Sequence, residues 1–262
     1  MKKVEIIDYR SLEWQKIMDF LMKQMPKSVY LMGDMLSGSG KFSMFVAVED
    51  SDISGIILYY WGIPGSGITW ILGDHQTVER FIESLDDGTF VILTPVELEK
   101  KLQERFRDAR SYPEHIMLCT GKDEYKTEID FRILGPEYID QWGFLQTERK
   151  SISREENDQF LRTLTNQTCF GIFVDKIMVS GAVIETSTPE MAVIGSVKTL
   201  SVYRNKGYAT SLMASIVGYC HNKGQVLYLF VRKDNLAAIT AYRKVGFSIV
   251  DEILISYIGL NI

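Results

Sequence analysis

The hydrophobic pattern is clearest between residues 194 and 247. Residues 194–202 are rich in β-branched side chains and predict a strand. A polar, glycine-centred turn follows, and then apolar residues recur with the spacing of one helix face up to Gly224. Residues 225–232 predict another strand, and residues 235–246 predict a short helix. The apolar helix positions after the turn are Ala209, Leu212, Met213, Ile216, Val217 and Cys220.

The same reading of the pattern extends over the rest of the chain. Ser153 and Glu156 have the spacing of a capping box, which predicts a helix start. A hairpin is predicted across Asp175-Lys176, and a last strand pair is predicted from Phe247. The remaining predicted helices are 14–25, 77–85, 95–109 and one after Gly135-Pro136, and the remaining predicted strands are 42–49, 54–60, 68–72, 90–93, 115–119, 127–134, 169–174 and 177–186.

Both halves follow one plan of helix, hairpin, strand, helix, strand, helix and strand. The polar stretch 121–126 is the predicted boundary. With 262 residues the chain is long enough for two domains. We therefore expect one domain at residues 1–125 and a second at residues 126–262.

The turn at 204–210 lies between a strand and a helix, which places successive backbone N–H groups at a helix N-terminus. The helix dipole adds positive potential there, and a phosphate is the natural ligand. Gly207 has no Cβ and would let a ligand approach the backbone closely. For these few residues alone, an ordinary surface turn that begins a core helix is the favoured interpretation.

The wider context resembles the GNAT N-acetyltransferase superfamily. Arg204, Gly207 and Ala209 match its Arg/Gln-x-x-Gly-x-Gly/Ala motif, and residues 235–247 match its Asn…Ala…Tyr…Gly-Phe signature. Residues 195–209 are most similar to the branch that contains glycine N-acyltransferase-like enzymes. The resemblance implies an α+β fold with two tandem GNAT-like domains. Each would be a mixed, mostly antiparallel sheet flanked by helices.

The resemblance also implies acetyl transfer from acetyl-CoA to a primary amine without a covalent enzyme intermediate. Val197 and Thr199 would pair through their backbone with the pantetheine arm, and nearby amides would stabilise the oxyanion. Tyr242 would protonate the departing thiolate. Plain sheet pairing and a core tyrosine are the structural alternatives. The expected cofactor-binding residues are Val197, Lys198, Thr199, Arg204, Asn205, Lys206, Gly207, Tyr208, Ala209, Thr210 and Asn235.

The general base is not evident from the sequence. Many relatives carry a carboxylate five residues before the asparagine, where this chain has Phe230. Glu185, at the end of a predicted strand, is the candidate base, although a strand-end glutamate is more often only solvated. Ser180 is a weaker candidate for the pocket. A second function therefore stays open, namely a catalytically impaired CoA-binding module with a regulatory or interaction role.

The first half lacks the cofactor turn. It has Gly73-Asp74 at the corresponding place, and a carboxylate there would repel a phosphate. We therefore expect the first domain to be degenerate and to bind no CoA. A nucleotide-binding α/β protein is a third interpretation, but its glycine turn would have to follow the first strand of a parallel array.

Composition restricts partners and location. The net charge of −5 argues against nucleic acid as a general partner. Three separated cysteines predict neither a metal site nor a disulfide framework, and they favour a reducing compartment. No apolar stretch has the length of a membrane span. We expect a cytoplasmic protein, preferably monomeric, that uses acetyl-CoA, binds no metal and acts on a small-molecule or protein amine.

Overall fold

The computed structural model describes residues 4–36, 41–61, 67–120 and 129–260. The strands are β1 (Val4–Asp8), β2 (Phe42–Glu49), β3 (Asp52–Tyr60), β4 (Gly67–Gly73), β5 (Phe90–Thr94), β6 (Arg110–Cys119), β7 (Phe131–Leu134), β8 (Thr168–Val174), β9 (Ile177–Ser187), β10 (Met191–Thr199), β11 (Val226–Arg232) and β12 (Ser248–Ile258). The helices are α1 (Trp14–Lys23), α2 (Val29–Leu36), α3 (His75–Ser84), α4 (Glu99–Arg105), α5 (Ile139–Thr147), α6 (Arg154–Asn166), α7 (Tyr208–His221) and α8 (Leu236–Lys244).

The chain folds into two compact units, and the first combines Met1–Ile116 with Val250–Ile262. Its strand order is β1-β2-β3-β4-β5-β12-β6. Strand β4 runs parallel to β5, whereas β12 runs antiparallel to β5 with Leu254 opposite Thr94. Leu254 and Ile258 are buried in the core that α3 and α4 cover. The C-terminal strand is therefore an integral part of the first unit's sheet and core.

The second unit is Met117–Ile249. From β11 onwards its strand order is β11-β10-β9-β8-β7. Strands β9 and β10 are antiparallel, whereas β10 and β11 are parallel because α7 forms the crossover between them. Helix α7 packs on one sheet face in a core with Leu229 and Tyr242, and α5 packs on a separate core around Trp142.

Most of the predicted elements are present in the structure. The capping box is confirmed, because Ser153 Oγ accepts from the Glu156 N–H at 3.1 Å and Glu156 Oε2 accepts from the Ser153 N–H at 2.7 Å. The predicted helix 95–109 was too long, since a 3₁₀ turn at Val96–Leu98 precedes α4. The predicted final strand pair is a single strand, β12, within the described range. Strand β1 and helix α2 were not predicted.

The units differ from the predicted division of the chain. The predicted boundary at 121–126 lies outside the described residues. The sequence assigned 250–262 to the second domain, whereas the structure groups this segment with the first unit, because β12 pairs with β5. In a separate finding, no helix of the described residues is long and apolar enough to cross a bilayer.

Candidate acyl-transfer site

The glycine turn opens α7 in a conformation suited to an anion. Asn205 and Gly207 both have left-handed backbones, with φ of 61° and 86°. Gly207 is the N-cap of α7, and a Cβ placed there would meet nothing within 4 Å. No side chain caps this end, and the first turn of α7 contains no acidic residue. The first N–H groups of the helix therefore have no side-chain cap from Gly207 and lie at the positive end of the dipole.

The remaining residues of the turn are held by packing and aromatic contacts. The ring of Tyr208 meets the Tyr203 ring at 6.1 Å, and Lys206 Nζ lies 5.1 Å from the same Tyr203 ring. Ala209 and Thr210 begin the helix, and Thr210 is buried. Since the exposed cationic side chain of Lys206 lies near the helix start, it adds to the positive potential of the turn.

Strand β10 stops pairing with β11 several residues before the turn. Its parallel ladder with β11 ends at Ile194↔Leu229, although β10 continues to Thr199 and β11 continues to Arg232. Val197 and Thr199 lie in this diverging part. Val197 packs against the core that contains Tyr242. Residues 195–199 thus lie beyond the last pair of the β10–β11 ladder, and a ligand can pair with this part of the strand.

Two cationic side chains that were expected to bind cofactor make contacts within the protein. Arg204 Nε donates to the Thr199 carbonyl at 3.1 Å, and its Nη2 lies 3.3 Å from Glu148 Oε1. Lys198 Nζ donates to the Gln146 carbonyl at 2.5 Å. Both side chains therefore connect the end of β10 to the end of α5.

Glu148 is the centre of that connection, and no motif in the sequence selects it. It ends α5 with a left-handed φ of 52°, and its Oε2 accepts from the Ser201 N–H at 3.2 Å. The hydrogen bonds from Ser201, followed by the charges of Arg204 and Lys198, hold the pKa of the Glu148 carboxyl below its usual range. Its partner Ser201 is 53 residues away in sequence, so only the folded chain brings them together.

Tyr242 lies on α8 with its side chain almost fully buried. Its ring packs 6.1 Å from that of Phe247. Burial raises the pKa of Tyr242 to about 12, so the phenol keeps its proton at any physiological pH. Asn235 caps α8, since its Oδ1 accepts from the Ala238 N–H at 3.2 Å, which is the structural role that the sequence left open beside cofactor binding.

Glu185 lies against the same stretch of β10. Ser196 Oγ donates to Glu185 Oε1 at 3.2 Å, and a Cβ built on Gly195 would lie 2.0 Å from that oxygen. Ser180, the weaker candidate, donates to the Lys198 carbonyl at 3.0 Å and shares a hydrogen bond with Thr199 Oγ1 at 2.8 Å, so its hydroxyl binds the end of β10. The fold thus places Glu185 of β9 against Gly195 and Ser196 of β10, and Val197 and the glycine turn follow these residues along the chain.

In the first unit, the helix N-terminus that corresponds to the start of α7 is capped by a carboxylate. Asp74 caps α3, because its Oδ1 accepts from the Thr77 N–H at 3.0 Å and its Oδ2 accepts from Thr77 Oγ1 at 2.8 Å. A negative charge therefore occupies the helix end that would attract a phosphate. In the second unit the equivalent end has no such cap.

A comparison with protein-family models gives a match to part of the chain. Residues 131–247 match the model of the acetyltransferase (GNAT) family. A search of curated proteins gave no match.

Three solved structures illustrate the structural similarity. A tandem GNAT protein from the clavulanic acid biosynthesis pathway is 12% identical with a TM-score of 0.58, over 99% of this chain and 100% of that one. A GCN5-related N-acetyltransferase-like protein from Streptococcus suis is 15% identical with a TM-score of 0.59, over 93% and 98%. A Drosophila protein from a structural genomics consortium is 8% identical with a TM-score of 0.66, over 93% and 86%.

At these identities the solved structures establish the fold alone. They confirm the predicted α+β GNAT fold, and one of them is a tandem protein that matches along almost the whole chain. The family model covers only the second unit's part of the chain.

Proposed function

We propose that this chain, whose residues 131–247 match the GNAT family model, transfers an acetyl group from acetyl-CoA to a primary amine by direct attack in a ternary complex. The observation that carries the proposal is the uncapped start of α7, which follows a strand that has just left its parallel neighbour. The two features supply a phosphate site and an adjacent stretch of open strand backbone.

The turn fits the pyrophosphate of CoA. Gly207 leaves room for close approach, and the backbone N–H groups from Asn205 to Thr210 provide donors without a competing carboxylate. Lys206 adds positive charge beside them. In this proposal Arg204 and Lys198 act indirectly, since their side chains fix the turn and the strand end rather than reach for the ligand.

The bound acetyl-CoA supplies the activated acyl group, and two side chains handle protons. Glu185 takes the proton that the attacking amine loses, directly or through one water. Tyr242 is protonated in the resting protein and can donate to the departing thiolate. Exclusion of water raises the proton affinity of a thiolate as well as that of the phenolate, so burial does not by itself prevent this transfer.

Direct attack is favoured over an acyl-cysteine route by the state of the thiols. Cys119, Cys169 and Cys220 are all buried. Burial raises the pKa of Cys220 to about 11 and that of Cys169 to about 12, so neither forms the thiolate that a nucleophile requires. Buried, reduced thiols also accord with the cytoplasmic location that we include in the proposal, together with a monomeric state and a small-molecule or protein amine as acceptor.

One observation favours a second candidate function. Phe230 stands in β11 where many relatives have a carboxylate, so a CoA-binding module without turnover would keep every cofactor contact described above. The two candidates differ in a single property, which is the release of free CoA in the presence of an amine.

Turnover measured as thiol release tests the proposal. Acetyl-CoA is mixed with a panel of small primary amines, and Tyr242→Phe is compared with the wild type. We expect Tyr242→Phe to lower kcat by about 10²-fold with little change in acetyl-CoA affinity, because only the proton donor is removed. Tyr228→Phe is the matched control, since Tyr228 is also a buried tyrosine and should retain wild-type turnover. Acetyl-CoA binding without turnover for any amine would support the binding module instead.

A further inference from the structure

Strands β9 and β10 carry two opposed irregularities within a few residues of each other. On β9 the ladder skips Glu185, since Val193 pairs with Thr186 and Ile194 pairs with Ile184. On β10 the ladder advances three residues, from Gly195 to Lys198, while β9 advances only two. A bulge turns the side chain of its extra residue away from the regular alternation, and bulges are common beside active sites.

The side chain of the β9 bulge lies against the backbone of the β10 bulge. The extra residue of β9 is Glu185, and its carboxylate lies against Gly195 and accepts from Ser196 Oγ at 3.2 Å. Ser196 has a left-handed φ of 52°, which directs its hydroxyl to the carboxylate. Gln167 Nε2 donates to the Glu185 backbone carbonyl at 3.0 Å and holds the β9 bulge from the other side.

Gly195 is necessary for this arrangement. Any Cβ at this position would overlap the carboxylate, at 2.0 Å from Oε1 and 2.1 Å from the carboxyl carbon. These distances are far shorter than van der Waals packing tolerates. A larger residue at position 195 would therefore displace the end of the Glu185 side chain. The glycine is therefore explained by the glutamate rather than by its own backbone conformation.

We propose that Gly195, Ser196 and Gln167 form a seat that positions the Glu185 carboxylate at the bend of β10, and that this seat compensates for the missing carboxylate at Phe230. The inference rests on the proposed function, because it assigns the base of that reaction to a different strand. Gly195, Ser196 and Gln167 are positioning residues, and Glu185 is the residue that meets the amine proton. The seat lies directly after Ile194, the last residue of β10 that pairs with β11.

A double-mutant cycle tests the seat. The variants are Glu185→Gln, Gly195→Ala, Ser196→Gly and each of the last two combined with Glu185→Gln. The reaction is acetyl transfer to benzylamine, or to the best amine of the panel if benzylamine is not accepted. Ser196→Gly removes the hydroxyl while tolerating the left-handed backbone, so it avoids the strain that Ser196→Ala keeps. Acetyl-CoA affinity and thermal unfolding are measured for every variant.

We expect Glu185→Gln to lower kcat by about 10²-fold or more and to leave acetyl-CoA affinity within about threefold. Gly195→Ala should lower kcat nearly as much, and Ser196→Gly by about tenfold, both with unchanged acetyl-CoA affinity. In the Glu185→Gln background neither substitution should lower kcat further. A residue with a purely structural role would instead lower kcat equally in both backgrounds.

The outcomes separate the seat from the function on which it rests. If Glu185→Gln is slow but Gly195→Ala and Ser196→Gly act additively with it, the seat is refuted while the base is retained. If Glu185→Gln has wild-type turnover, both the base and the seat are refuted, while acetyl transfer itself stands. If no amine is acetylated, the proposed function is refuted and the seat falls with it, whereas acetyl-CoA binding still reports on the cofactor turn.

Discussion

Replacing Gly207 by alanine tests whether the turn before α7 is a ligand site or only a helix start. The structure provides a matched control at the other end of the same helix. Gly224 also has a left-handed backbone, with φ of 76° against 86° at Gly207, and a Cβ at either glycine would meet nothing within 4 Å. Helix α7 has 14 residues, so the two positions lie about 20 Å apart.

The cost to stability should be the same at both ends. Alanine in the left-handed region costs about 1–2 kcal/mol, of which a few tenths are recovered because the unfolded chain loses freedom. Neither methyl group clashes, so no further loss is expected. The net loss of about 1 kcal/mol corresponds to a Tm lower by about 2–4 °C for each variant.

The effect on binding should differ between the two ends. A methyl group at Gly207 stands where a phosphate would approach the N–H groups, and losing one charge-assisted hydrogen bond costs about 1.5–3 kcal/mol. We therefore expect acetyl-CoA affinity to fall by about 10- to 100-fold in Gly207→Ala. Gly224→Ala should keep wild-type affinity.

Calorimetric titration with acetyl-CoA and thermal unfolding of the free proteins measure both quantities. Equal affinity in Gly207→Ala and Gly224→Ala would refute the assignment of the turn as a phosphate site. A loss of affinity in both variants would show that the effect comes from α7 as a whole rather than from the approach to Gly207.

Two further predictions follow from the titration behaviour of the second unit. Burial raises the pKa of Tyr242 from 10.0 to about 12, so its contribution to stability is complete below pH 10 and is lost as the pH rises through 12. The unfolding free energy of the wild type, measured by urea unfolding, should therefore fall relative to that of Tyr242→Phe by about 1–3 kcal/mol between pH 9 and 12. Parallel curves for the two proteins would contradict the burial of the phenol. Glu148→Gln should keep an acceptor for Ser201 but lose the charge opposite Arg204 in a solvent-accessible pair. We expect a small loss of stability at low salt that disappears in 1 M NaCl, measured by urea unfolding, and a salt-independent loss would contradict an ionic origin.

Local signals in the sequence were sufficient for most of the helices and strands and for the turn. The left-handed conformation of Gly207, the capping box at Ser153 and the Asn235 cap are each decided by residues within a few positions, so a local pattern contains the information. Helix α2 escaped prediction for a related reason. Five of its eight residues are buried, so it has no polar face and gives no clear period.

The arrangement of the candidate site could not be read from local patterns. Arg204 belongs to the motif, yet its guanidinium lies beside a carboxylate 56 positions earlier in the chain. Glu185 was a candidate only by type, and its contact with Ser196 depends on two bulges that shift the register of neighbouring strands. Registers and bulges result from cross-strand packing over many residues, which no short window of sequence contains.

The sequence by itself therefore determined most elements of the second unit, and it selected the glycine turn, Tyr242 and Glu185 as site candidates, whose roles stay predictions. The tertiary structure decided that β12 completes the first unit, that Asp74 closes the helix end there, and that Lys198 and Arg204 stabilise the strand end. The physical reason is common to these cases. Conformation along a few residues is set by local sterics and capping, whereas the partner of a charged side chain or of a strand is set by which distant segments the hydrophobic core brings together.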